Sequence, residues 1–402
     1  MLSVNEARER ILSNFQATDI ETVSLVASVN RVLGMDLAAD HDYPPFDNSA
    51  VDGFAVRTDD ASSLTLKVVA DIPAGTSPSI TLKSGEAARI MTGAEVPNGA
   101  TAVIPVEDTD FKDHQAGTTA PQTVSFEKNP AAGANIRRRG MDILTGEVVL
   151  QKGHVIKPQD LGLLATLGFA DVTVHKRPRV ALLSSGDELL PVDVPLEPGK
   201  IRDSNSYTIA ALIENAGAEV IRLGVARDTR EAVTSLLDRA VAESADLIIS
   251  TAGVSVGAFD FIKEVIESNG SMDFWRVNMR PGKPLAFGSY RGIRFIGLPG
   301  NPVSAFVGFE VFVRPTLERM TGQMDRSRQT VRVRCAEEID SDGRESYLRA
   351  RIRTENGVPI ASLTGHQGSG NLLSLVQADA LLIIPAGVKC VPAGQEVDAI
   401  LL

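Results

Sequence analysis

Cysteine is nearly absent: Cys335 and Cys390 are the only two in 402 residues. They lie far apart and outside any CxxC spacing, which excludes a disulfide framework and a thiolate metal site, so both are expected as reduced core residues. No apolar run approaches the ~18 residues of a membrane span, and the first fifteen residues carry charges throughout. The expectation is a soluble, cytoplasmic protein without a membrane partner. The five histidines are scattered without metal-ligand spacing; only His366, beside Gly365 and Gly368, sits in an apparent ligand loop. Neither a GxxxxGKS/T phosphate loop nor an HExxH pair occurs, and no repeat stands out. Excess basic charge is missing too. A net charge of −11 excludes the broad basic face that nucleic acid requires. Anionic ligands would therefore depend on local cations, in "NIRRRG", "WRVNMRPGKP" and "RESYLRARIR".

The length exceeds the ~250 to 300 residues at which single cores stop growing, so several domains are expected. Ala7, Ile11, Leu12 and Phe15 follow a possible Ser3 cap at helical spacing. From about residue 44 to 140, β-type runs such as "LTLKVVADI" and "TAVIPVEDT" alternate with Gly, Pro and Asn, the pattern of a small β domain. Near its start, "PPFDNSAVDGFAV" reads as a turn, with Asp52-Gly53 as a hairpin corner. A short helix and a strand follow at 154 to 174.

The clearest architecture spans about 177 to 322. "RVALLSSG" and "DLIISTAG" are buried-strand runs ending in small residues, separated by an amphipathic helix that Ser204 or Asn205 can cap. Asp228 and Glu231 have capping-box spacing before another helix. Repeated strand-helix alternation predicts a doubly wound α/β sheet, whose ligands sit beyond the carboxyl ends of the strands. After about residue 325, short strands predict a small β barrel or sandwich.

Several loops at the strand ends could carry chemistry. In "SSGDEL", Ser185, Gly186 and the following amides could cradle an anion, while Asp187 and Glu188 could face a hard cation or simply turn the chain. "TAGVSVGAFD" offers small residues with Ser255 and Asp260 as polar contacts. "MRPGKP" sets Arg280 and Lys283 on a turn close to "LPGNPVS", as oxyanion ligands or solvated cations. Asp228 suits a helix cap or a Mg²⁺ ligand. Arg137, in "RRRGMD", suits a solvated charge run or, with Asp142, a phosphate clamp.

Taken in order, "PPFDNSAVDGFAV", "RIMTGAEVPNGATAVIPVE", "NIRRRGMDI", "SSGDEL", "KIRDSNSY", "GVSVGAFD", "MRPGKP", "LPGNPVSA" and "GHQGSG" closely resemble the molybdopterin molybdenumtransferases, the MoeA and gephyrin E-domain family. The resemblance covers nearly the whole chain. It implies a multidomain α/β plus β protein. An elongated N-terminal linker domain would comprise 1–43 and 141–176, and an inserted β domain 44–140. A MogA-like, doubly wound α/β molybdopterin-binding domain would occupy 177–325, and a barrel-like β domain 326–402. It further implies a homodimer that inserts molybdate into adenylylated molybdopterin with Mg²⁺ and releases AMP, in a pathway shared with molybdopterin adenylyltransferase. By the same resemblance Lys283, Pro284, Ser304, Arg349 and Ser369 bind molybdate. Glu188, Asp228 and Asp260 hold the metal or activate the phosphoanhydride. Asp52, Thr92, Arg137 and Asp142 complete the cleft from the partner subunit. Arg276, from the cationic run "WRVNMRPGKP", is expected among the substrate-binding cations on its residue type alone. The family usually reads "GGVSVGDYD" or "GGVSVGEYD", so Ala252 and Ala258 are departures, as is Arg280 for a usual Lys. Ala258 motivates an alternative, a molybdopterin-binding scaffold with weakened catalysis. A second alternative is molybdopterin adenylyltransferase itself, against which the additional β domains argue.

Overall fold

A computed structural model describes residues 1–59, 64–112, 117–252, 261–323 and 330–402. They form two compact units, one of 1–35, 152–162 and 170–402, the other of 36–151 and 163–169.

In the first unit a six-stranded sheet runs in the order Glu219–Ala226, Arg179–Ser185, Leu247–Thr251, Ile293–Leu298, Pro284–Tyr290, Gly270–Arg276. The first four strands are parallel, and Pro284–Tyr290 runs antiparallel to both of its neighbours. Continuous apolar runs suit the parallel strands because both faces are covered. Alternate residues of Arg179–Ser185 supply the two cores: Val180 and Leu182 pack with Ile209 and Ile213 of helix Asn205–Asn215, whereas Ala181 and Leu183 pack with Val233 and Leu237 of Arg230–Ala242 and Ile262 of Phe261–Asn269. The doubly wound expectation holds.

The N-terminal helix Val4–Leu12 joins the first of these cores through Val4, Ala7 and Ile11. Its start is a reciprocal cap, in which the Ser3 hydroxyl accepts from the Glu6 amide at 3.2 Å and the Ser3 amide donates to Glu6 Oε2 at 2.8 Å. Strand Ile20–Ser24 pairs with Asp171–His175.

The C-terminal strands close into a ring: Glu345–Glu355, Val358–Leu363, Thr330–Cys335, Glu396–Leu401 and Ala380–Ile384, the last pairing back to the first. Closure leaves this five-strand barrel without a free edge. Cys335 fills its interior, and burial pushes its thiol up from the ordinary value. Cys390 is exposed, contrary to the expectation of two core cysteines; the strand Cys390–Val391 is short, and Val391 takes the inward place.

The second unit holds a five-stranded sheet, in the order Ala102–Pro105, Gly53–Val56, Glu86–Ile90, Thr65–Ile72, Thr123–Ser125. The hairpin reading of Asp52-Gly53 does not survive. Gly53 begins a strand that pairs with both Glu86–Ile90 and Ala102–Pro105, while Asn48–Ser49 pairs with Ile136–Arg137. Glycine is required at 53 by close approach, since a Cβ there would lie 1.9 Å from the Ile104 carbonyl oxygen.

Candidate active site

At the carboxyl ends of the parallel strands lies a cleft of about 370 Å³, bordered by Glu188, Arg202, Asp203, Asn205, Thr251 and Ala252, and across it by Pro284, Gly300, Asn301 and Ser304. This is where ligands bind in open α/β sheets. Larger hollows exist, including one of about 970 Å³ in the other unit. Its lining has four carboxylates, Glu107, Asp108, Asp110 and Glu127, against Lys112 and Lys128, so it does not suit an anion.

Two adjacent strand ends bring Ser185, Asp187 and Asp228 together. The Ser185 hydroxyl donates to Asp228 Oδ1 at 2.9 Å, the Asp187 amide to Asp228 Oδ2 at 3.3 Å, and the Asp228 amide back to Asp187 Oδ1 at 3.3 Å. Asp228 is not the helix cap that its spacing with Glu231 predicts. Thr229 takes that role by accepting from the Ala232 amide at 3.2 Å, one residue later. That frees the Asp228 carboxylate to turn toward the strand-end loop. Gly186, at φ +149°, folds this loop so tightly that a Cβ would lie 2.6 Å from Glu188 Oε2. Among the described residues, no ion pair engages Asp187, Glu188 or Asp228.

Arg349 is fully buried on the barrel strand Glu345–Glu355. Its Nε donates to the Ser374 hydroxyl at 3.0 Å, Nη1 to the Gln367 carbonyl at 3.3 Å, and Nη2 to the carbonyls of His366 at 3.3 Å and Gly368 at 3.0 Å. No carboxylate pairs with it among the described residues. Burial, and then the nearby Arg280 charge, lower its pKa to about 10, so it remains cationic at neutral pH. The loop that cages it reaches the cleft: the Ser369 carbonyl accepts from the Val303 amide at 3.0 Å, next to Ser304. From the other side, Met279–Arg280 pairs in parallel with Glu345 and Ser346, and the turn after it brings the Gly282 Cβ position within 3.6 Å of the Ser304 carbonyl oxygen. A desolvated guanidinium held by neutral dipoles leaves positive charge uncompensated near this rim. Such a rim suits an oxyanion.

In the second unit the Thr92 amide and hydroxyl both donate to Asp52 Oδ1, at 2.6 and 2.7 Å, and hold its carboxyl below the usual range. Arg138 and the Arg139 amide bind Asp47 at 2.6 and 2.8 Å. Asp42, bound by the Thr145 hydroxyl and amide and by Arg139, is lowered to about 2. Arg137 and Asp142 both line a hollow of about 340 Å³ with Tyr43, Phe46 and Asn48.

The sequence matches the MoeA N-terminal region (domain I and II) over residues 2–168, a probable molybdopterin binding domain over 181–319 and the MoeA C-terminal region (domain IV) over 332–402. It is 39% identical to molybdopterin molybdenumtransferase 2 of Mycobacterium tuberculosis, across 99% of both chains. It is 37% identical to the molybdopterin molybdenumtransferase of Haemophilus influenzae, across 99% of this chain and 98% of that one. The chain belongs to the molybdopterin molybdenumtransferase family. A solved molybdopterin biosynthesis MoeA protein from Pyrococcus horikoshii superposes with a TM-score of 0.83 at 31% identity, over 100% of both chains.

Of the residues singled out in the sequence, Ser185, Gly186, Asp187, Glu188 and Asp228 meet at the strand ends. Pro284, Ser304, Arg349 and Ser369 gather at the rim. Lys283 is exposed on the same turn, with its carbonyl accepting from the Val277 amide at 3.0 Å, and Arg276 ends a sheet strand in register with Pro284. Asp52, Thr92, Arg137 and Asp142 belong to the second unit. Ser255 and Asp260, with Ala258, lie outside the described residues.

Asp203, Asn205, Thr251 and Asn301 line the cleft but are not singled out as ligand residues by the sequence, which marks Asn205 only as a possible cap. "RDSN" ahead of an amphipathic helix reads as a generic cap, and the structure divides the work differently. Asp203 Oδ1 accepts from the Ser206 amide at 3.1 Å, while Asn205 Nδ2 donates to the Gly300 carbonyl at 2.8 Å. Ala252 stands at φ +74°, where the family has glycine and where a Cβ is disfavoured by ~1–2 kcal/mol. Ala252→Gly should therefore stabilise the protein by about 0.5–1 kcal/mol after the added freedom of the unfolded chain is deducted. A higher urea midpoint at unchanged slope is the expected reading; an unchanged or lower midpoint contradicts it.

Proposed function

We propose that this protein is a molybdopterin molybdenumtransferase that inserts molybdate into adenylylated molybdopterin with Mg²⁺ and releases AMP. The observation that carries the reading is the meeting of Pro284, Ser304 and the Arg349-caging loop at one rim of the strand-end cleft. Molybdate is a tetrahedral dianion. Hydroxyls, amides and the Lys283 ammonium are the donors it needs, and the buried Arg349 charge adds a favourable field behind them. The cleft beside them gives the organic substrate room, and Ser185, Gly186 and Asp187 shape the loop that would orient its phosphates.

The donor set also fits Mg²⁺, a hard cation that takes carboxylate oxygens. Each Asp228 oxygen accepts one neutral donor and keeps lone pairs free, and Glu188 follows Asp187 on the neighbouring strand-end loop that meets Asp228. Glu188 and Asp228, with Asp260, would hold the ion. When bound, it would neutralise charge on the phosphate chain and the leaving oxygen. The proposal includes a cytoplasmic homodimer in which Asp52, Thr92, Arg137 and Asp142 of one subunit complete the cleft of the other. Molybdopterin adenylyltransferase would supply the substrate.

The test supplies adenylylated molybdopterin, molybdate and Mg²⁺ to the full-length protein and follows AMP release together with molybdenum retained on the pterin. Release that requires all three components is expected. Folded protein that produces no AMP overturns the proposal.

A further inference from the structure

Beneath the cleft, four side chains form a continuous polar line that no ligand role above uses. Ser184 and Thr251 are partners on adjacent parallel strands, and their hydroxyl oxygens lie 2.7 Å apart. Ser184 also meets the Ser206 hydroxyl at 2.9 Å, and Ser206 Oγ in turn donates to Asp203 Oδ2. Ser184 is fully buried, Thr251 is 1% exposed and Asp203 7%. Asp203 and Thr251, the two ends of the line, both border the cleft.

Each hydroxyl has one proton, whereas a carboxylate only accepts. Asp203 stands at the N-terminus of helix Asn205–Asn215, with the Ser206 amide donating to its other oxygen. Its contact with Ser206 Oγ needs the Ser206 proton. Ser206 then has only lone pairs for Ser184, so the Ser184 proton points to Ser206. Ser184 consequently has only lone pairs for Thr251, and the Thr251 proton is drawn inward. The direction of every bond follows from one carboxylate at one end.

We propose that Asp203 polarises this relay so that Thr251 meets the ligand solely as a hydrogen-bond acceptor, selecting an N–H donor on a bound heterocycle. The inference rests on the molybdopterin reading of the cleft, in which both the pterin ring and the adenine carry such donors. Thr251 is the ligand-facing residue. Ser184, Ser206 and Asp203 are positioning residues that act through it.

Ser184→Ala is the discriminating variant, because Ser184 does not border the cleft. With its acceptor gone, the Thr251 hydroxyl is free to turn and present its proton. Molybdopterin and AMP are titrated separately into the full-length protein and its variants. Ser184→Ala and Thr251→Val should each weaken binding of one heterocycle by about tenfold, the scale of one net hydrogen bond. Thr251→Ser should recover most of what Thr251→Val loses. The double variant should bind no more weakly than Thr251→Val alone, since the two changes remove one device. Weakening confined to molybdopterin assigns the donor to the pterin, and weakening confined to AMP assigns it to adenine. Unchanged binding of both in Ser184→Ala, or additive losses in the double variant, overturns the relay. Wild-type protein that binds neither probe overturns the molybdopterin reading and this inference with it. Neutron diffraction from deuterated, ligand-free protein tests the relay by itself: a deuteron covalently on Thr251 Oγ1 and directed at Ser184 is expected, and one on Ser184 directed at Thr251 overturns it.

Discussion

Arg349→Met should loosen the barrel and raise the molybdate concentration needed for half-maximal AMP release by tenfold or more. The structural half of this expectation comes from the acceptors that Arg349 satisfies. Its removal strands the Gln367 carbonyl and takes one partner each from the His366 and Gly368 carbonyls and the Ser374 hydroxyl, which keep their hydrogen bonds to Asn371. A buried polar group left without a partner costs ~1–3 kcal/mol. One stranded carbonyl, with three groups that each lose one of two partners, brings the total to about 2 kcal/mol, within the usual range of destabilising single substitutions. The functional half comes from charge. Because no carboxylate compensates the guanidinium among the described residues, its field remains available to an anion at the rim, and methionine keeps the packing while deleting it. Arg349→Lys should fall between, since an ammonium is a point charge with three donors and lacks the planar fork that spans four acceptors. Hydrogen exchange reads the first effect, which should be confined to the barrel and the 365–371 loop and leave the sheet of residues 53–125 protected. Molybdate titration reads the second. Arg349→Met with unaltered exchange and unaltered molybdate dependence would show that the cage neither supports the loop nor serves the anion.

The burial of Arg349 was beyond what its local sequence could say. In "ESYLRARIR", strand alternation puts Tyr347, Arg349, Arg351 and Arg353 on one face. The structure buries the first two and exposes the last two: Tyr347 packs into the core shared with the α/β sheet, the loop around 365–371 covers Arg349, and the cover ends before Arg351. Where a cover ends is a tertiary fact. The α/β sheet was legible for the opposite reason: its strands are buried on both faces, so the signal lies in each run itself. Barrel closure depends on Glu345–Glu355 pairing with Ala380–Ile384, a long-range match that no local pattern encodes, although the strands themselves were readable. The same limit explains the one-residue error at the helix after Glu219–Ala226. Asp228 and Thr229 are both good caps, and only the contact with Ser185 shows which side chain is engaged elsewhere. At 203 to 206, several capping residues stand in a row, which concealed that three of them, Asp203, Ser204 and Asn205, line the cleft.

Asp228→Asn should lower AMP release by about 10²–10³-fold and leave the protein folded, because the carboxylate is held by neutral donors and nothing in the core depends on its charge. An amide oxygen can still accept from the Ser185 hydroxyl at the Oδ1 position. The NH₂ group then faces the Asp187 amide where Oδ2 accepted at 3.3 Å, which exchanges a long hydrogen bond for two opposed donors at a cost of about 1 kcal/mol. That is small beside the catalytic loss. With the charge gone, the site retains Glu188 but loses one of the two described carboxylates proposed to hold Mg²⁺, so the Mg²⁺ concentration for half-maximal rate should rise together with the fall in rate. The binding of molybdate at the Arg349 rim should change far less. This separates the two ends of the site: Arg349→Met moves the molybdate dependence, and Asp228→Asn moves the Mg²⁺ dependence. A variant Asp228→Asn that releases AMP at the wild-type rate would return Asp228 to a purely structural role, an acceptor that ties together two neighbouring strand ends.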